Sequence, residues 1–491
     1  MELRTITFTQ LVSIGITGIL VPWILRCLYR LYFHPLAGFP GPRIAAVSDL
    51  WYARVATSGR EPFIMLDVHR KYGDVVRISP NELSFSTPQS YEDIYGQGSK
   101  DKKRFLKTEF YDVSKIPRIT SVRDPDEHAR QRKAMAYGFS TKALRDQEVL
   151  IHEYVDMFIR QLGTLGESGR KGINVSEAYN WLTFDIIGEL AFGESFNAIA
   201  GGRTPYWISL IFDGMYWSLL TNLRKRLPIM KLVLRYMLPA DSKEKNMKHV
   251  ALTREKAQRR IERGADTGRG MADFFGHMIK DKTITEAELR EQARTLIVAG
   301  SETTAATMTA ITYQLVRSPE VLTKLQHEVR STFTSLDQIT GDRTSSLGYL
   351  NGVIEESLRM FPPVLILLPR HSPGAWVDGH YIPAGAVVGN NNYGMTRDPR
   401  YWHKPDEFLP ERWIGEGFHD NRKASRPFST GTRGCLGINL AYLELRIALA
   451  KLIFAYDFEL ESTHLRTWNE ECPVYLFWKR PTILVKFLPV R

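Results

Sequence analysis

The 491-residue chain has only three cysteines, Cys27, Cys435 and Cys472. So small and odd a number excludes a disulfide framework and suits a reducing compartment. Internal repeats, low-complexity tracts and Ser/Gly-rich linkers are also missing. Length alone would allow about three domains of ~150 residues, but no seam divides the chain, and one large domain is expected. Zinc-finger spacing, glycine-rich RNA-binding signatures and long Lys/Arg runs are absent too. The formal net charge of +11 therefore points to an anionic membrane or an acidic protein, not to nucleic acid. Apolar residues make up 43% of the chain and aromatic residues 11%, enough for a large buried core, which excludes disorder.

Long apolar runs are rare, and the one near the start is informative. No charge lies between Arg4 and Arg26, and residues 6–25 are mainly apolar, close to the ~20 residues that cross a bilayer. Thr7, Thr9, Gln10, Ser13 and Thr17 weaken the span. A cleaved secretory signal would need a small-residue cleavage site, and none follows. Arg26, Arg30 and Tyr32-Phe33 come instead, as expected at the cytoplasmic boundary. Phe39-Pro40-Gly41-Pro42 then cannot continue the helix. The expected organisation is a membrane anchor over residues 1–27, a Pro/Gly hinge over 28–45 and one domain over 46–491.

The body reads as mainly α with small β-sheets, an α+β chain. Residues 63–71 suggest a helix and 75–78 a strand. Asp124-Pro125 opens another helix, Asp as N-cap and Pro at the first position, with His128 and Arg132 on one face four residues apart. Thr285 and Glu288 form a capping box, and no proline follows until Pro319. That predicts a helix of about 50 Å at 1.5 Å per residue. Heptads are absent, and Glu291, Arg294 and Glu302 argue against a membrane span, so a central core helix remains. Its middle, Ala299-Gly300-Ser301-Glu302-Thr303-Thr304, puts glycine, a carboxylate and hydroxyls where leucines would serve better. Gly300 could loosen the ladder and open a groove, or could simply relieve packing.

The most informative stretch is Phe428-Ser429-Thr430-Gly431-Thr432-Arg433-Gly434-Cys435-Leu436-Gly437. Three glycines permit a tight loop, and Leu436, Leu440, Leu443 and Ile447 recur afterwards at helical spacing. Cys435 is thus expected near a helix N-terminus, where the macrodipole and Arg433 favour a thiolate over an inert thiol.

At these residues the chain resembles the cytochrome P450 family, whose cysteine ligates haem iron as a thiolate. The cysteine-loop pattern Phe-x-x-Gly-x-Arg-x-Cys-x-Gly is met at every fixed position. The family's Glu-x-x-Arg helix matches Glu356 and Arg359, and its central-helix pattern matches residues 299–304. Pro410-Glu411-Arg412-Trp413 matches the segment whose arginine completes a buried network with Glu356 and Arg359. The segment from Tyr32 to Pro42 resembles fungal members, many of them in secondary metabolism. Thr396 and Trp413 stand where His and Phe are usual.

The resemblance implies a cytochrome P450 fold: one haem domain behind a single-pass anchor in the endoplasmic reticulum membrane, facing the cytosol. It implies haem b held through Cys435, with Arg433, Phe428, Arg370, His128 and Arg132 around the cofactor. His128 replaces the more usual Trp. Glu302 and Thr303 resemble the acid–alcohol pair that delivers protons to dioxygen. Electrons would come from NADPH through NADPH-cytochrome P450 reductase. One oxygen atom would enter a small, mostly apolar substrate, contacted by residues 103–119, 206–220, 364–368 and 474–477. The competing readings are a haem-thiolate isomerase or dehydratase that needs no reductase, a non-catalytic haem sensor, and a cysteine hydrolase using Cys435.

Overall fold

The computed structural model describes residues 7–97, 104–230, 232, 236, 241–264, 274–281, 283–462 and 465–490. The longer helices in chain order are α1 (Phe8–Leu28), α2 (Leu50–Thr57), α3 (Glu61–Tyr72), α4 (Pro88–Tyr95), α5 (Pro125–Ala136), α6 (Thr141–Leu165) and α7 (Val175–Phe192). They continue as α8 (Tyr206–Arg226), α9 (Ser242–Glu262), α10 (Glu286–Arg317), α11 (Pro319–Thr332), α12 (Gly348–Met360) and α13 (Ile438–Ala455).

Local chemistry sets the ends of the two helices that matter most. The Asp124 carboxylate accepts from the N–H groups of Asp126 (3.0 Å) and Glu127 (2.7 Å), with Pro125 at the first helical position of α5. At α10 the Thr285 N–H donates to Glu288 at 2.8 Å, and the Glu288 N–H returns to the Thr285 hydroxyl. Ser318, the residue before Pro319, ends α10 because a residue before proline avoids the helical region.

Helices α7 and α10 form the centre. Helix α7 is buried almost all round, with the polar Asn180, Asp185 and Glu189 enclosed among its apolar residues. Tyr179 of α7 and Thr312 of α10 share a hydrogen bond at 2.6 Å. Gly300 has a packing reason: a Cβ there would come 2.7 Å from Ile187 Cδ1 of α7. It lets two helices approach, and α10 runs unbroken through it. The groove expected from a loosened ladder is not what this glycine makes.

One sheet has the order β1 (Val75–Ser79), β2 (Glu82–Phe85), β8 (Val387–Asn390), β5 (Arg370–His371), β3 (Leu106–Lys107). Its pairs are antiparallel except β2 with β8. A second sheet joins β4 (Ile173–Asn174), β10 (Leu484–Pro489) and β9 (Tyr456–Leu460). The pair β6 (Ala375–Val377) and β7 (His380–Ile382) is a hairpin turned by Asp378 (φ +47°) and Gly379 (φ +77°), the positive-φ pair of a two-residue type I′ turn.

Helix α1 is exposed along the residues whose surfaces are described, and with the turn after it forms one apolar element over Phe8–Phe33, long enough to cross a membrane. The following segment is packed down. Leu36 is fully buried. Arg77 of β1, itself buried, donates to the carbonyls of Arg30 (2.8 Å) and Pro80 (2.7 Å), and its N–H donates to Pro40 (2.7 Å). The proline-rich stretch is a strap bonded to the sheet.

Candidate active site

The cysteine loop is shaped by its backbone. The Cys435 N–H donates to the Phe428 carbonyl at 2.8 Å, and Gly434 N–H to Gly431 at 3.1 Å. Ser429 and Gly431 lie at φ +59° and +70°. A Cβ on Gly431 would collide with the Tyr95 carbonyl of α4, so glycine is required there for both conformation and space. The Phe428 ring packs 5.2 Å from that of Tyr442.

Helix α13 starts three residues after Cys435. The expected thiolate is not favoured by the protein alone. Burial pushes the Cys435 thiol up, against a hydrogen bond from the Gly437 N–H and the field of Arg132. Desolvation outweighs the helix end because a thiol crowded by protein loses more hydration than one dipole returns. Residue 435 is nonetheless exposed.

Helix α10 packs against α13, the helix that follows the cysteine loop. Ala299 is exposed and Thr303 half-exposed in the middle of this central helix, while Ile297, Ser301, Glu302 and Thr304 are buried. Just beyond, Glu444 of α13 bonds Thr304, joining the two helices. Ala299, Thr303 and Cys435 are thus accessible positions on elements that the Glu444–Thr304 bond ties together.

Cations gather at one edge of this region. Register pairs Lys107 of β3 with Arg370 of β5. Arg370 donates to the Tyr111 hydroxyl at 2.7 Å, and Lys107 Nζ to the Thr120 carbonyl at 2.6 Å. Arg433 donates to the carbonyls of Val122 (2.7 Å) and Arg123 (2.9 Å), and Arg132 to that of Gly434 (2.8 Å). Among the described residues none of these four cations is ion-paired with a carboxylate. Burial and like charge together lower the proton affinities of Lys107, His128 and Arg433. Lys107 falls from 10.5 to about 6, through burial and then Arg433 and Arg370. His128 falls to about 4, through burial and then Arg433 and Lys107. Arg433 falls to about 10, through burial and then Arg370. Partly buried cations without anions are costly. A flat group carrying two carboxylates and an iron fits this arrangement: the sulfur, the open face of α10 and the cations answer it together.

A family model described as Cytochrome P450 matches residues 45–487. The chain belongs to the cytochrome P450 family. It is 44% identical over 474 residues, 94% of this chain and 92% of the relative, to the cytochrome P450 monooxygenase BOA3 of Botryotinia fuckeliana (strain B05.10). It is 38% identical to the cytochrome P450 monooxygenase poxC of Penicillium oxalicum, over 94% of this chain and 92% of that one. The identity is also 38% to the cytochrome P450 monooxygenase btcC of Colletotrichum orbiculare, over 99% and 96%. The protein is accordingly a fungal-type P450 monooxygenase, mainly helical with small sheets, with haem-thiolate chemistry fed by a redox partner.

This P450's core rests on a buried carboxylate. One Glu356 oxygen accepts from Arg359 (2.8 Å), Arg412 (2.9 Å) and the Leu409 N–H (3.0 Å). The other accepts from Arg359 (2.8 Å) and the Trp413 indole (2.9 Å). Arg359 also donates to the Thr396 carbonyl at 2.6 Å. Thr396 and Trp413, the two departures from the usual pattern, thus both join this network. Arg412 pairs in addition with Asp420.

Lys107 escaped sequence reading because only strand pairing sets it beside Arg370. Since Lys107 sits at about 6 in the haem-free fold and 10.5 when unperturbed, the unfolded chain holds a proton that the folded one lacks between those values. Apoprotein stability should therefore rise with pH across that window. Lys107→Met should flatten the rise while weakening haem retention, as pH-dependent unfolding and haem titration would show. A slope left unchanged in the variant would detach Lys107 from the cluster.

Proposed function

We propose that this P450 binds haem b through Cys435 and draws electrons from NADPH through NADPH-cytochrome P450 reductase. One atom of O2 enters a small, mostly apolar substrate in fungal secondary metabolism. The observation that carries this reading is the cluster of Lys107, Arg132, Arg370 and Arg433, without a carboxylate partner among the described residues, beside an exposed Cys435. When bound, the haem supplies oxygen activation, with the thiolate donating electron density.

The chain's residues do the rest. Arg433, Arg370, Arg132 and Lys107 orient the haem carboxylates, and His128, whose pKa falls to about 4, donates a hydrogen bond to them as a neutral ring. Phe428 backs the cysteine loop. Thr303 and Glu302 handle the protons that dioxygen consumes as it is reduced. The Thr303 hydroxyl now donates to the Ala299 carbonyl at 2.6 Å, so taking part requires it to exchange that bond for one to water or substrate.

Substrate recognition is assigned to residues 103–119, 206–220, 364–368 and 474–477, of which Lys103 lies outside the described residues. Two of these segments meet: the Leu365 N–H faces the Leu476 carbonyl at 3.5 Å, with Leu476 at φ +103°. The apolar element over Phe8–Phe33 supports a single-pass anchor at residues 1–27 in the endoplasmic reticulum membrane. The strap over 28–45 then holds the domain at 46–491 on the cytosolic side, where it meets bilayer and reductase.

The test is turnover in microsomes with the reductase, following NADPH, O2, product and peroxide together. Thr303→Ala should keep its haem spectrum while product per NADPH falls about 10²-fold, the lower range for a positioned proton donor. The lost electrons should appear as peroxide. Substrate conversion without NADPH would favour the isomerase reading, and normal coupling in the variant would remove Thr303 from proton delivery.

A further inference from the structure

We infer that Arg480 is a positioning residue for proton delivery, holding Glu302 ionised and fixed behind α10. This rests on the assignment of Glu302 to the proton path. The Arg480 guanidinium donates from one nitrogen to Glu302 Oε2 at 2.9 Å and to Asn180 Oδ1 of α7 at 3.0 Å. Both charged side chains are almost completely buried, at 2% and 1% exposure.

Glu302 Oε1, also buried, has no hydrogen-bond partner among the described residues. A carboxylate with one oxygen clamped and the other unpartnered is an incomplete site, and the natural partner for Oε1 is a water or the neighbouring Thr303 hydroxyl.

Arg480 is itself held rigidly. It follows a hairpin in which Val474 bridges Trp478, and the Lys479 N–H bonds the Pro473 carbonyl at 2.8 Å. The Trp478 indole donates to Pro362 at 3.0 Å, and Ser176 of α7 donates to the Pro481 carbonyl at 2.6 Å. The clamp is therefore preorganised.

The electrostatics are simple. Burial pushes the Glu302 carboxyl up, and Arg480 is the charge that opposes it. Arg480 in turn faces Glu302 and the Cys472 thiol. From α7 the facing group is neutral Asn180. On α10, the Ser301 and Thr303 hydroxyls bond their own helix at Ile297 and Ala299, and Glu444 of α13 is engaged with Thr304.

Coupled turnover converts RH, O2, two electrons and two protons into ROH and H2O. Leakage converts O2, two electrons and two protons into H2O2. NADPH supplies the electrons in both. An acid that relays protons must alternate between its two forms, and without Arg480 a buried Glu302 stays protonated.

The test compares wild type, Arg480→Gln, Arg480→Lys, Glu302→Gln and the double variant Arg480→Gln/Glu302→Gln, each as haem-loaded protein. Arg480→Gln should show an infrared band of a protonated carboxyl near neutral pH that is missing from wild type and from the double variant. Its acid limb of product per NADPH should move up by about 1–3 pH units, the usual effect of removing an adjacent opposite charge. Arg480→Lys should restore the wild-type limb. In the Glu302→Gln background, losing Arg480 should change coupling no further.

A band and a limb that stay at wild-type positions in Arg480→Gln would overturn the inference, as would equal losses in both backgrounds. The infrared readout does not need turnover, so it separates a failed clamp from a failed reading of Glu302. If Arg480→Gln does not fold, Asn180→Asp supplies a second carboxylate competing for Arg480. It should raise the same limb, and an unmoved limb would overturn the inference.

Discussion

Cys435→Ala is expected to give folded protein whose reduced form no longer shows the carbon monoxide absorption typical of a thiolate-ligated haem. Folding should survive because the loop is shaped by bonds that do not use the sulfur: the Cys435 N–H on Phe428, the Gly434 N–H on Gly431, and Arg433 on Val122 and Arg123. Haem affinity should fall by more than the roughly 10–100-fold that losing a supporting contact costs, and oxygenation should vanish. A wild-type spectrum in this variant would refute the ligand assignment. There is a companion proton effect. Burial holds the Cys435 thiol above its ordinary 9.0, whereas iron takes the thiolate, so haem binding at neutral pH should release a proton from this site. Haem loading of apoprotein should then improve as pH rises. Calorimetry in two buffers of different ionisation enthalpy would count the proton.

Glu356→Gln should be the most destabilising single change away from the cysteine, by about 3–5 kcal/mol, the cost of breaking a buried ion pair from one side. Glu356, Arg359 and Arg412 are all at 0% exposure, so two guanidinium groups would keep their charge with no water to screen it. Arg412 would retain Asp420, but Arg359 would lose its carboxylate partner and keep only neutral ones, including the carbonyls of Thr396 and Pro405. The Leu409 N–H and Trp413 indole would also face a weaker acceptor. An apolar replacement of Glu356, Arg359, Arg412 and Asp420 together should be less harmful than the single one, because it leaves none of these buried charges unpaired. Denaturant unfolding of haem-loaded protein compares the two. A single variant as stable as wild type would mean that the network contributes little.

Features legible in the chain were those written over a few neighbouring residues. The Asp124-Pro125 start, the Thr285–Glu288 box and the cysteine loop each depend on atoms within about one turn of one another. Their geometry follows from residue identity. Glu302 and Thr303 were singled out by their resemblance to the family's central-helix pattern. Gly300 was visible as an anomaly, but its cause lies on another helix, at Ile187.

Sequence by itself determined the elements, the apolar N-terminal span and the cysteine with its glycines, because hydrophobic period, caps and turn residues act locally. Tertiary structure decided what those elements face. Pairing of β3 with β5 set Lys107 beside Arg370, packing around α12 drew Thr396 and Trp413 onto the Glu356 network, and a hairpin 178 positions further on brought Arg480 to Glu302. It also decided the sign of the Cys435 shift, since desolvation depends on what the whole chain excludes from water, and no local motif encodes that.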